Sequence, residues 1–330
     1  MLPYTSRADY ETGYTDSHIK DERHRRAAEE FFGEGVCVGL NVFENPGLIE
    51  TEEFGEILTV ERLCRGNHLP TPAQEFAAVN SIPTSYGAHG AATLVFGENA
   101  RFVTEKTAEN GLILDARAAL ILAERGCDIG FSEARPAPTP GAEYFIGADD
   151  TVPFDSGQKS EYYDFSLDPR ARILSEFICS KTVLSMSWET ENCRRFPACW
   201  LYENAAGQRF AVYSFVARTA GAKSERYRGV FAGYYRQRQL AYAVERLQGR
   251  PLPAVCFGAP QLWTVCKASS KGLSVGLFNL SSDGIDRPEI FLCDRAKTAE
   301  FYNCSGSVKE DRVILEDGIP PFGFCFFRVK

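Results

Sequence analysis

Few residues in this sequence have a type and spacing that could carry chemistry, and Cys37 is the first of them. It is the centre of "GVCVG" (Gly35 to Gly39), which has the G-x-C-x-G spacing of an elbow that presents a nucleophile. Such a thiol needs a helix directly after it and a histidine to activate it. The next residues, "LNVFENPG", instead have the pattern of a strand and a turn, and the sequence contains no His-x-Glu pair. We therefore predict that Cys37 is a buried strand cysteine.

The histidines are too few and too dispersed for a metal site. His18 and His24 are six residues apart, on different sides of a helix with about 3.6 residues per turn, and we predict that both lie on its surface. His68 in "RGNHLPTP" and His89 in "SYGAHGA" lie in loops of small residues, which often carry function. Both are candidate substrate-binding residues, with an ordinary turn histidine as the alternative. Because the cysteines also form no C-x-x-C pair, the sequence predicts neither a metal nor a cofactor.

Carboxylates are the third kind of candidate, because glycoside hydrolases use a pair of them as acid and as nucleophile or base. Glu44 has a positional argument, since it directly follows the strand-like run "VCVGLNVF". If that strand belonged to a barrel, Glu44 would lie at the carboxyl rim where barrel active sites are built. The alternative is a solvated loop acid. Glu203, Asn204 and Arg209 could also face a ligand, although hairpin chemistry alone explains Asn204.

The clearest structural signal lies in "NGLILDARAALILAERGCDIG" (Asn110 to Gly130). It predicts a short strand, "GLILD", and then a helix that begins at Asp115 as N-cap and ends at Gly126. "CDIGF" would be the next strand of the same parallel sheet. Upstream, Asp16 to Phe32 reads as a helix, and "VCVGLNVF" as one buried strand.

The rest of the chain changes from mixed to all-β patterning. From Tyr144 to Phe215, short apolar runs alternate with polar breaks and read as strands, with "ENAAGQ" as a hairpin connection. A helix is predicted from Glu225 to Gly249, where glycine and proline stop it. Beyond Pro253, six short strands at near-regular spacing indicate a small sandwich.

The composition of the chain argues against some classes of function. The net charge is -8, which argues against nucleic acid as a partner. The densest basic runs, Lys20 to Arg26 and Arg226 to Gln239, are predicted to be solvated helix faces. No signal peptide and no membrane-spanning run is apparent, and the 11 cysteines are scattered, so a cytoplasmic location is expected.

Several of these stretches together resemble a known family. "NGLILDARAALILAERGCDIGF", "PACWLYENAAGQRFAVYSF", "ERLQGRPLPA" and "GLSVGLFNLSSDGIDRPEIFL" are similar, in that order, to the C-terminal half of bacterial glycoside hydrolases of the β-galactosidase type. The resemblance implies a partial barrel-like α/β segment over residues 1–65, then a flavodoxin-like, class I glutamine amidotransferase-like domain over 66–253. A small antiparallel β-sandwich over 254–330 would follow.

The resemblance also implies what this chain would lack. A barrel takes at least about 200 residues, so both catalytic carboxylates of the family would precede Met1, as in a truncated or split product. Asn41 and Glu44 match the rim of the last barrel strand, where such enzymes contact sugar. The chain is therefore expected to be a non-catalytic, carbohydrate-related portion that assembles with itself or with a barrel-bearing partner.

Two other functions remain open from the sequence. One is a carbohydrate-binding or assembly module that stacks sugar rings on Trp188, Trp200 or Trp263, although apolar neighbours favour a core role for the last two. The other is an active hydrolase that uses Glu44, or an amidotransferase that uses Cys37. Whether the chain is an enzyme by itself is thus undecided at this level.

Overall fold

The computed structural model describes residues 15–45, 48, 71–87, 90–153, 161–179, 194–217, 228–260 and 262–330. The helices in these ranges are α1 (Thr15–Phe32), α2 (Pro72–Ala78), α3 (Glu105–Ala108), α4 (Ala116–Glu124), α5 (Arg228–Phe231) and α6 (Tyr234–Gln248), with a 3-10 helix at Gly97–Phe102. The strands are β1 (Val36–Cys37), β2 (Leu40–Val42), β3 (Thr84–Ser85), β4 (Thr93–Val95), β5 (Leu112–Leu114), β6 (Phe131–Ala137), β7 (Ala142–Phe145), β8 (Asp150–Pro153), β9 (Tyr162–Leu167), β10 (Arg172–Cys179), β11 (Arg194–Glu203), β12 (Arg209–Tyr213), β13 (Ala254–Val255), β14 (Leu262–Ser269), β15 (Gly272–Asn279), β16 (Glu289–Leu292), β17 (Ala299–Tyr302), β18 (Gly306–Lys309), β19 (Arg312–Leu315) and β20 (Phe324–Val329).

The largest sheet combines parallel and antiparallel strands. Its order is β3-β2-β4-β5-β12-β11-β10-β7-β8, and the first five of these strands run parallel. Numbered along the chain, the five parallel strands have the order 2-1-3-4-5, which is one of the common orders of doubly wound sheets. The remaining strands extend the sheet in antiparallel fashion beyond β12. The chain thus has the α/β part that the sequence predicted.

Helices cover both faces of this sheet, and β5 shows why. Leu112 and Leu114 point to one face, where they join the core formed with α4, while Ile113 points to the other, where α2 and α6 pack. A strand that is buried on both faces needs a continuous apolar run rather than alternation. The predicted strand and helix in this stretch are both confirmed, since Asp115 caps α4 by accepting a hydrogen bond from the Ala118 amide at 2.8 Å.

The strand that follows α4 corrects one prediction. We expected it to continue the parallel sheet, but β6 pairs antiparallel with β9 in a separate two-stranded sheet. The place beside β5 is taken by β12, which arrives much later in the chain. The reason is the polarity of β6: Glu133 and Arg135 form an exposed ion pair, and such a strand cannot be buried on both faces.

A second correction concerns "VCVGLNVF", which forms two strands rather than one. Strand β1 pairs with β14 of the C-terminal part, whereas β2 pairs with β3 and β4 of the large sheet. Upstream, α1 packs Phe31 against Phe326 of β20. The described residues within 1–65 therefore contribute one strand to each of the two sheets. The predicted domain boundaries remain predictions.

Gly39 lies at the point where the chain passes between the two sheets. Its φ is 145°, and an added Cβ would lie 2.1 Å from the carbonyl oxygen of Pro83. That oxygen is held in place, because it accepts a hydrogen bond from the Leu40 amide at 2.8 Å. The backbone at this position therefore requires glycine.

Substituting Gly39→Ala is expected to lower the free energy of unfolding by about 2 kcal/mol, because the new methyl group must displace backbone atoms. Gly207→Ala is the matched control, since Gly207 also has a positive φ of 77° but no atom within 4 Å of the added Cβ. The control should cost only about 1 kcal/mol. Urea unfolding measures both, and equal losses would show that the contact with Pro83 does not matter.

The C-terminal part is a sandwich of two antiparallel sheets, as the sequence predicted. One sheet has the order β1-β14-β15-β20-β17 and the other β13-β16-β19-β18. The core between them includes Leu277 and Phe327 from the first sheet and Ile290 and Val313 from the second. All six predicted strands are present, and the structure adds the short strands β13 and β18.

The segment from Arg226 to Gln239 is less solvated than its charge suggested. The single helix predicted from Glu225 to Gly249 is two helices in the described residues, α5 and α6, but α6 stops where predicted, with Gly249 as its C-cap at φ 75°. However, Arg236 and Gln237 are buried, so the expectation that this basic run is a solvated face is wrong for them. Arg236 turns inward because it pairs with the buried carboxylate of Glu143 on β7. Among the described helices, none is both long and apolar enough to cross a membrane.

Candidate functional site

The candidate site lies where the parallel strands of the large sheet end. Doubly wound sheets bind ligands outside the carboxyl ends of their strands, at the point where the strand order reverses. Here the reversal falls between β2 and β4, because the chain places β3 on one side of β2 and β4 on the other. Glu44 follows the end of β2 by two residues, so it lies at this point. The sequence selected it on a similar positional argument.

The start of α2 holds the side chain of Glu44. The Thr71 hydroxyl donates a hydrogen bond to Oε1, and the Gln74 side-chain amide donates one to Oε2 at 3.4 Å. Thr71 is also the N-cap of α2, where it accepts from the Gln74 backbone amide at 3.3 Å. The same two residues thus cap a helix and position a carboxylate. The sequence signal for them is the capping box in "TPAQ", a Thr-x-x-Gln pattern before a helix.

Tyr86 and Asn99 complete the surroundings of Glu44. Partial burial, and then the negative charge of Glu44, raise the pKa of the Tyr86 hydroxyl above its ordinary value. On the other side, the Asn99 side-chain oxygen accepts a hydrogen bond from the Asn45 backbone amide at 2.8 Å. This contact joins the loop after β2 to the 3-10 helix after β4. The cluster is polar, half-buried and built from three neighbouring strand ends.

Asp115 lies further along the same edge, at the end of β5, and is fully buried. Its Oδ1 accepts from the amides of Gly97 at 2.9 Å and Ala118 at 2.8 Å, and its Oδ2 accepts from the amide of Ala217 at 2.9 Å. Burial raises the pKa of this carboxyl group to about 6, against the effect of the three backbone hydrogen bonds. Because both oxygens are used, Asp115 connects β4, α4 and the end of β12.

Glu98 is the third carboxylate at this edge, and it too is engaged. It forms ion pairs with Arg101 at 2.5 Å and with Arg117 at 2.7 Å. The hydrogen bond from Arg101, together with the contacts of Arg117, holds the pKa of Glu98 below its ordinary value. Through its two arginine partners, Glu98 joins the 3-10 helix to α4.

Asn41, the other predicted sugar-contact residue on β2, lies inside the sheet. Its side chain is 8% exposed, and its Nδ2 donates to the Thr93 hydroxyl at 3.2 Å. Its Oδ1 is buried and has no hydrogen-bond partner among the described residues. Asn41 thus bonds to a neighbouring strand of the sheet, whereas Glu44 bonds to the start of α2. A sugar-binding role for either residue remains a prediction.

Cys37 is exposed, so the prediction that it is a buried strand cysteine is wrong. The reason is that β1 forms the edge of its sheet and pairs only with β14. The elbow hypothesis gains no support from this exposure, since the chain continues into β2 and not into a helix. His24, predicted as a surface residue, is half-buried, with Nδ1 2.9 Å from the Tyr302 hydroxyl and its ring against Phe324.

Some of the remaining predicted site residues lie within the ranges that the structure describes, and others lie outside them. His68, His89 and Trp188 lie outside the described residues. Trp200 is fully buried in the large sheet, and Trp263 packs against Phe278 with ring centres 5.2 Å apart. Asn204 accepts from two backbone amides of its own hairpin, as hairpin chemistry predicted. The described part of the chain holds no group of three or more residues suited to a metal ion.

Comparisons with known proteins bear on the fold. No protein-family model matches the sequence, and a search of curated proteins finds no match. Among solved structures, the α-L-fucosidase isoenzyme 2 from Paenibacillus thiaminolyticus matches with a TM-score of 0.56 at 10% sequence identity. The match covers 94% of this chain and 51% of the fucosidase, so this chain spans about half the length of that protein.

Gan42B, a GH42 β-galactosidase from G. stearothermophilus, matches less well, with a TM-score of 0.48 at 9% identity. This match covers 97% of this chain and 45% of that protein. The match to the fucosidase alone shows that the fold of this chain also occurs in part of a glycoside hydrolase. At such low identity, the likeness concerns the fold and not the chemistry.

Proposed function

We propose that this chain is the non-catalytic, carbohydrate-related portion of a β-galactosidase-like glycoside hydrolase. In this proposal residues 66–253 form a flavodoxin-like, glutamine amidotransferase-like domain whose large sheet also includes β2, and residues 254–330 form the C-terminal sandwich, to which β1 adds an edge strand. The 2-1-3-4-5 order of the parallel strands supports the flavodoxin-like assignment. The shared fold with part of a fucosidase supports the relation to glycoside hydrolases.

The observation that carries the proposal is the state of the carboxylates at the strand ends. Glu44 accepts from Thr71 and Gln74, and Asp115 accepts from three backbone amides. A hydrolase needs one acid that gives a proton and a second carboxylate that faces the sugar. Since these side chains already serve structural donors, we infer that the edge supports the fold and that the catalytic pair lies elsewhere.

The geometry of the turn after β5 argues against amidotransferase chemistry at this place. In enzymes with a nucleophile elbow, a strained turn between strand and helix exposes the reactive side chain. Here the equivalent turn is Asp115, with φ -83° and ψ 173°, which is ordinary extended backbone. Its side chain is fully buried. The turn therefore caps a helix and presents no nucleophile.

The proposal predicts no hydrolysis by this chain alone. Neither nitrophenyl β-galactoside nor nitrophenyl α-L-fucoside should be turned over above the rate without protein, and Glu44→Gln should behave as the unaltered chain does. Released nitrophenol, followed by absorbance, measures both. The control is Thr71→Val, which removes one donor to Glu44 and keeps the carboxylate. Turnover that Glu44→Gln abolishes and Thr71→Val alters would establish instead an active glycosidase that uses Glu44.

Assembly and location are further parts of the proposal. We propose that the chain associates with itself or with a barrel-bearing partner, because a non-catalytic portion acts only through such contacts. Sedimentation velocity of the purified chain, alone and with a candidate barrel, tests this. A cytoplasmic location is supported by Cys256, Cys266 and Cys325, which are buried thiols of the sandwich rather than disulfides.

A further inference from the structure

A groove of about 650 Å³ lies away from the strand-end site, beside the first turns of α6. Its other walls are the turn after β7, at Ile146 to Ala148, and the start of β10. The volume falls within the range of roughly 300 to 1,000 Å³ that is usual for small-molecule sites. No sequence motif marks this groove, because its walls come from three separate parts of the chain.

Tyrosine side chains dominate one wall. Tyr234, Tyr235 and Tyr242 all come from α6 and line the groove, and the seven-residue spacing of Tyr235 and Tyr242 places those two on one side of the helix. Tyr234 is 45% exposed, which leaves its ring available to a ligand. Tyrosine offers an apolar ring face together with a hydroxyl group, and this combination suits a sugar ring with its apolar face and polar rim. The Tyr235 hydroxyl is already used, since it donates to Asp150 at 2.7 Å.

Two arginines supply positive charge to the same groove. Arg172 donates to the Tyr242 hydroxyl at 2.6 Å, and its guanidinium lies 5.4 Å from the centre of that ring. Arg238 donates to the Tyr234 hydroxyl at 2.8 Å, with its guanidinium 4.9 Å from the ring. Neither arginine forms an ion pair within the described ranges. The carboxylate of Asp150 lies beside the groove but accepts from Tyr235.

A buried polar network anchors the α6 wall of the groove. Gln239 is 8% exposed, and its side-chain amide donates to the Ser175 hydroxyl at 2.8 Å. Its oxygen accepts from Arg236, which in turn pairs with Glu143. This buried network fixes the helix that carries the tyrosines. A site whose walls are held in this way loses little entropy when a ligand binds.

We propose that this groove binds an acidic sugar, meaning a pyranose ring that carries a carboxylate. The ring packs against the tyrosines, and the carboxylate pairs with Arg172 and Arg238, whose planar guanidinium groups match carboxylate geometry. The inference deepens the carbohydrate-related function proposed above, and rests on it for the choice of a sugar as the ring. An acidic peptide would share the charge but not the fit of a pyranose to the tyrosines.

Isothermal titration calorimetry of the full chain with trigalacturonate tests the inference, with the neutral trisaccharide maltotriose as the matched ligand. We expect trigalacturonate to bind and maltotriose to bind at least about tenfold more weakly. Arg172→Gln and Arg238→Gln should each weaken trigalacturonate binding by about tenfold. Arg312→Gln is the control variant, because Arg312 also lies over an aromatic ring, at 4.6 Å from Phe291, but in the sandwich.

Several results would overturn the inference. They are no heat of binding with trigalacturonate, equal binding of the two trisaccharides, equal effects of Arg238→Gln and Arg312→Gln, or tighter binding of hexaglutamate than of trigalacturonate. Circular dichroism of each variant shows that it has folded. The hydrolysis assay is independent of these measurements. Turnover of aryl glycosides would overturn the proposed non-catalytic function alone, whereas absence of trigalacturonate binding would overturn this inference alone.

Discussion

Replacing Arg236 with methionine is expected to lower the free energy of unfolding by about 3 to 5 kcal/mol, the cost of leaving one member of a buried ion pair unpaired. The side chain of Arg236 is 2% exposed, and that of its partner Glu143 is 0% exposed. Without the guanidinium, the hydrogen bond from the Ser175 hydroxyl, at 2.5 Å, is the one that Glu143 keeps among the residues described in the structure. A buried carboxylate with one donor is poorly compensated for the loss of water.

Arg236 has further contacts that add to this cost. Its Nε donates to the carbonyl oxygen of Val230 at 3.0 Å, and its guanidinium lies 5.0 Å from the ring centre of Tyr213. Burial alone would lower the pKa of Arg236, but the negative charge of Glu143 helps to raise it above the ordinary value. The guanidinium is therefore charged, and it joins β7 to α5 and α6.

A double-mutant cycle separates the contribution of the ion pair to the free energy of unfolding from the contribution of side-chain packing. Arg236→Met and Glu143→Leu are made singly and together, and urea unfolding gives the free energy of each variant. We expect the double variant to lose clearly less than the sum of the two single losses, because no unpaired charge then remains. Glu143→Gln is a milder variant that keeps the shape, in case Glu143→Leu does not fold.

The matched control for this cycle is Arg135→Met, which breaks the exposed pair with Glu133. That substitution should leave stability nearly unchanged, since exposed pairs contribute little. Additive losses in the Arg236 and Glu143 cycle would contradict the prediction. So would an effect of Arg236→Met as small as that of Arg135→Met.

Local patterns predicted those parts of the fold that local interactions decide. The strand and helix around Asp115 follow from an apolar run, a capping residue and a terminal glycine, all within one short stretch. The sandwich strands follow from alternation and turn residues in the same way. Each of these signals involves contacts between residues that are close in sequence, so a single sequence contains them.

The features that the sequence did not reveal depend on distant partners. Arg236 looks like a solvated helix residue until Glu143, from another strand, is placed opposite it. Cys37 looks buried in an apolar run, but β1 proves to be an edge strand of a sheet formed mainly by residues beyond 261. Which strand lies beside β5 is likewise a choice between two distant segments. The secondary-structure propensity of a segment does not determine which strands pair with each other.

The candidate site shows the same division. Glu44 was found from its place after a strand, and the capping box in "TPAQ" could have identified Thr71 and Gln74 as helix-start residues. That these two also hold Glu44 could not be read from the sequence, because the contact joins separate segments. The groove with Arg172 and Arg238 was missed for the same reason.

Replacing Asp115 with alanine is expected to lower the free energy of unfolding by about 3 kcal/mol, because three backbone amides lose their acceptor. Those amides belong to Gly97, Ala118 and Ala217, and the side chain of Asp115 is fully buried. Asp115→Asn should cost less, since its oxygen can still accept from Gly97 and Ala118. Thr104→Ala is the control, because Thr104 caps α3 at the surface with a single backbone bond.

Comparing the unaltered chain with Asp115→Asn also gives a pH dependence with a definite sign. The pKa of Asp115 is raised by burial from 3.8 to about 6 in the folded chain. The folded state therefore holds this proton more tightly than the unfolded state does, and the resulting stabilisation is fully present below pH 3.8. It is lost as the pH rises through 6, by a total of about 3 kcal/mol.

Urea unfolding of both chains between pH 4 and pH 7 measures this dependence, at about one-unit steps. Because asparagine does not titrate, subtracting the Asp115→Asn free energies removes the contributions of the other groups. The difference should fall from low to high pH and level off toward pH 7, about one unit above the folded pKa, where Asp115 is ionised in both states. A difference that rises with pH would mean that the three amide donors outweigh burial, and that Asp115 is a stabilised carboxylate at every pH tested.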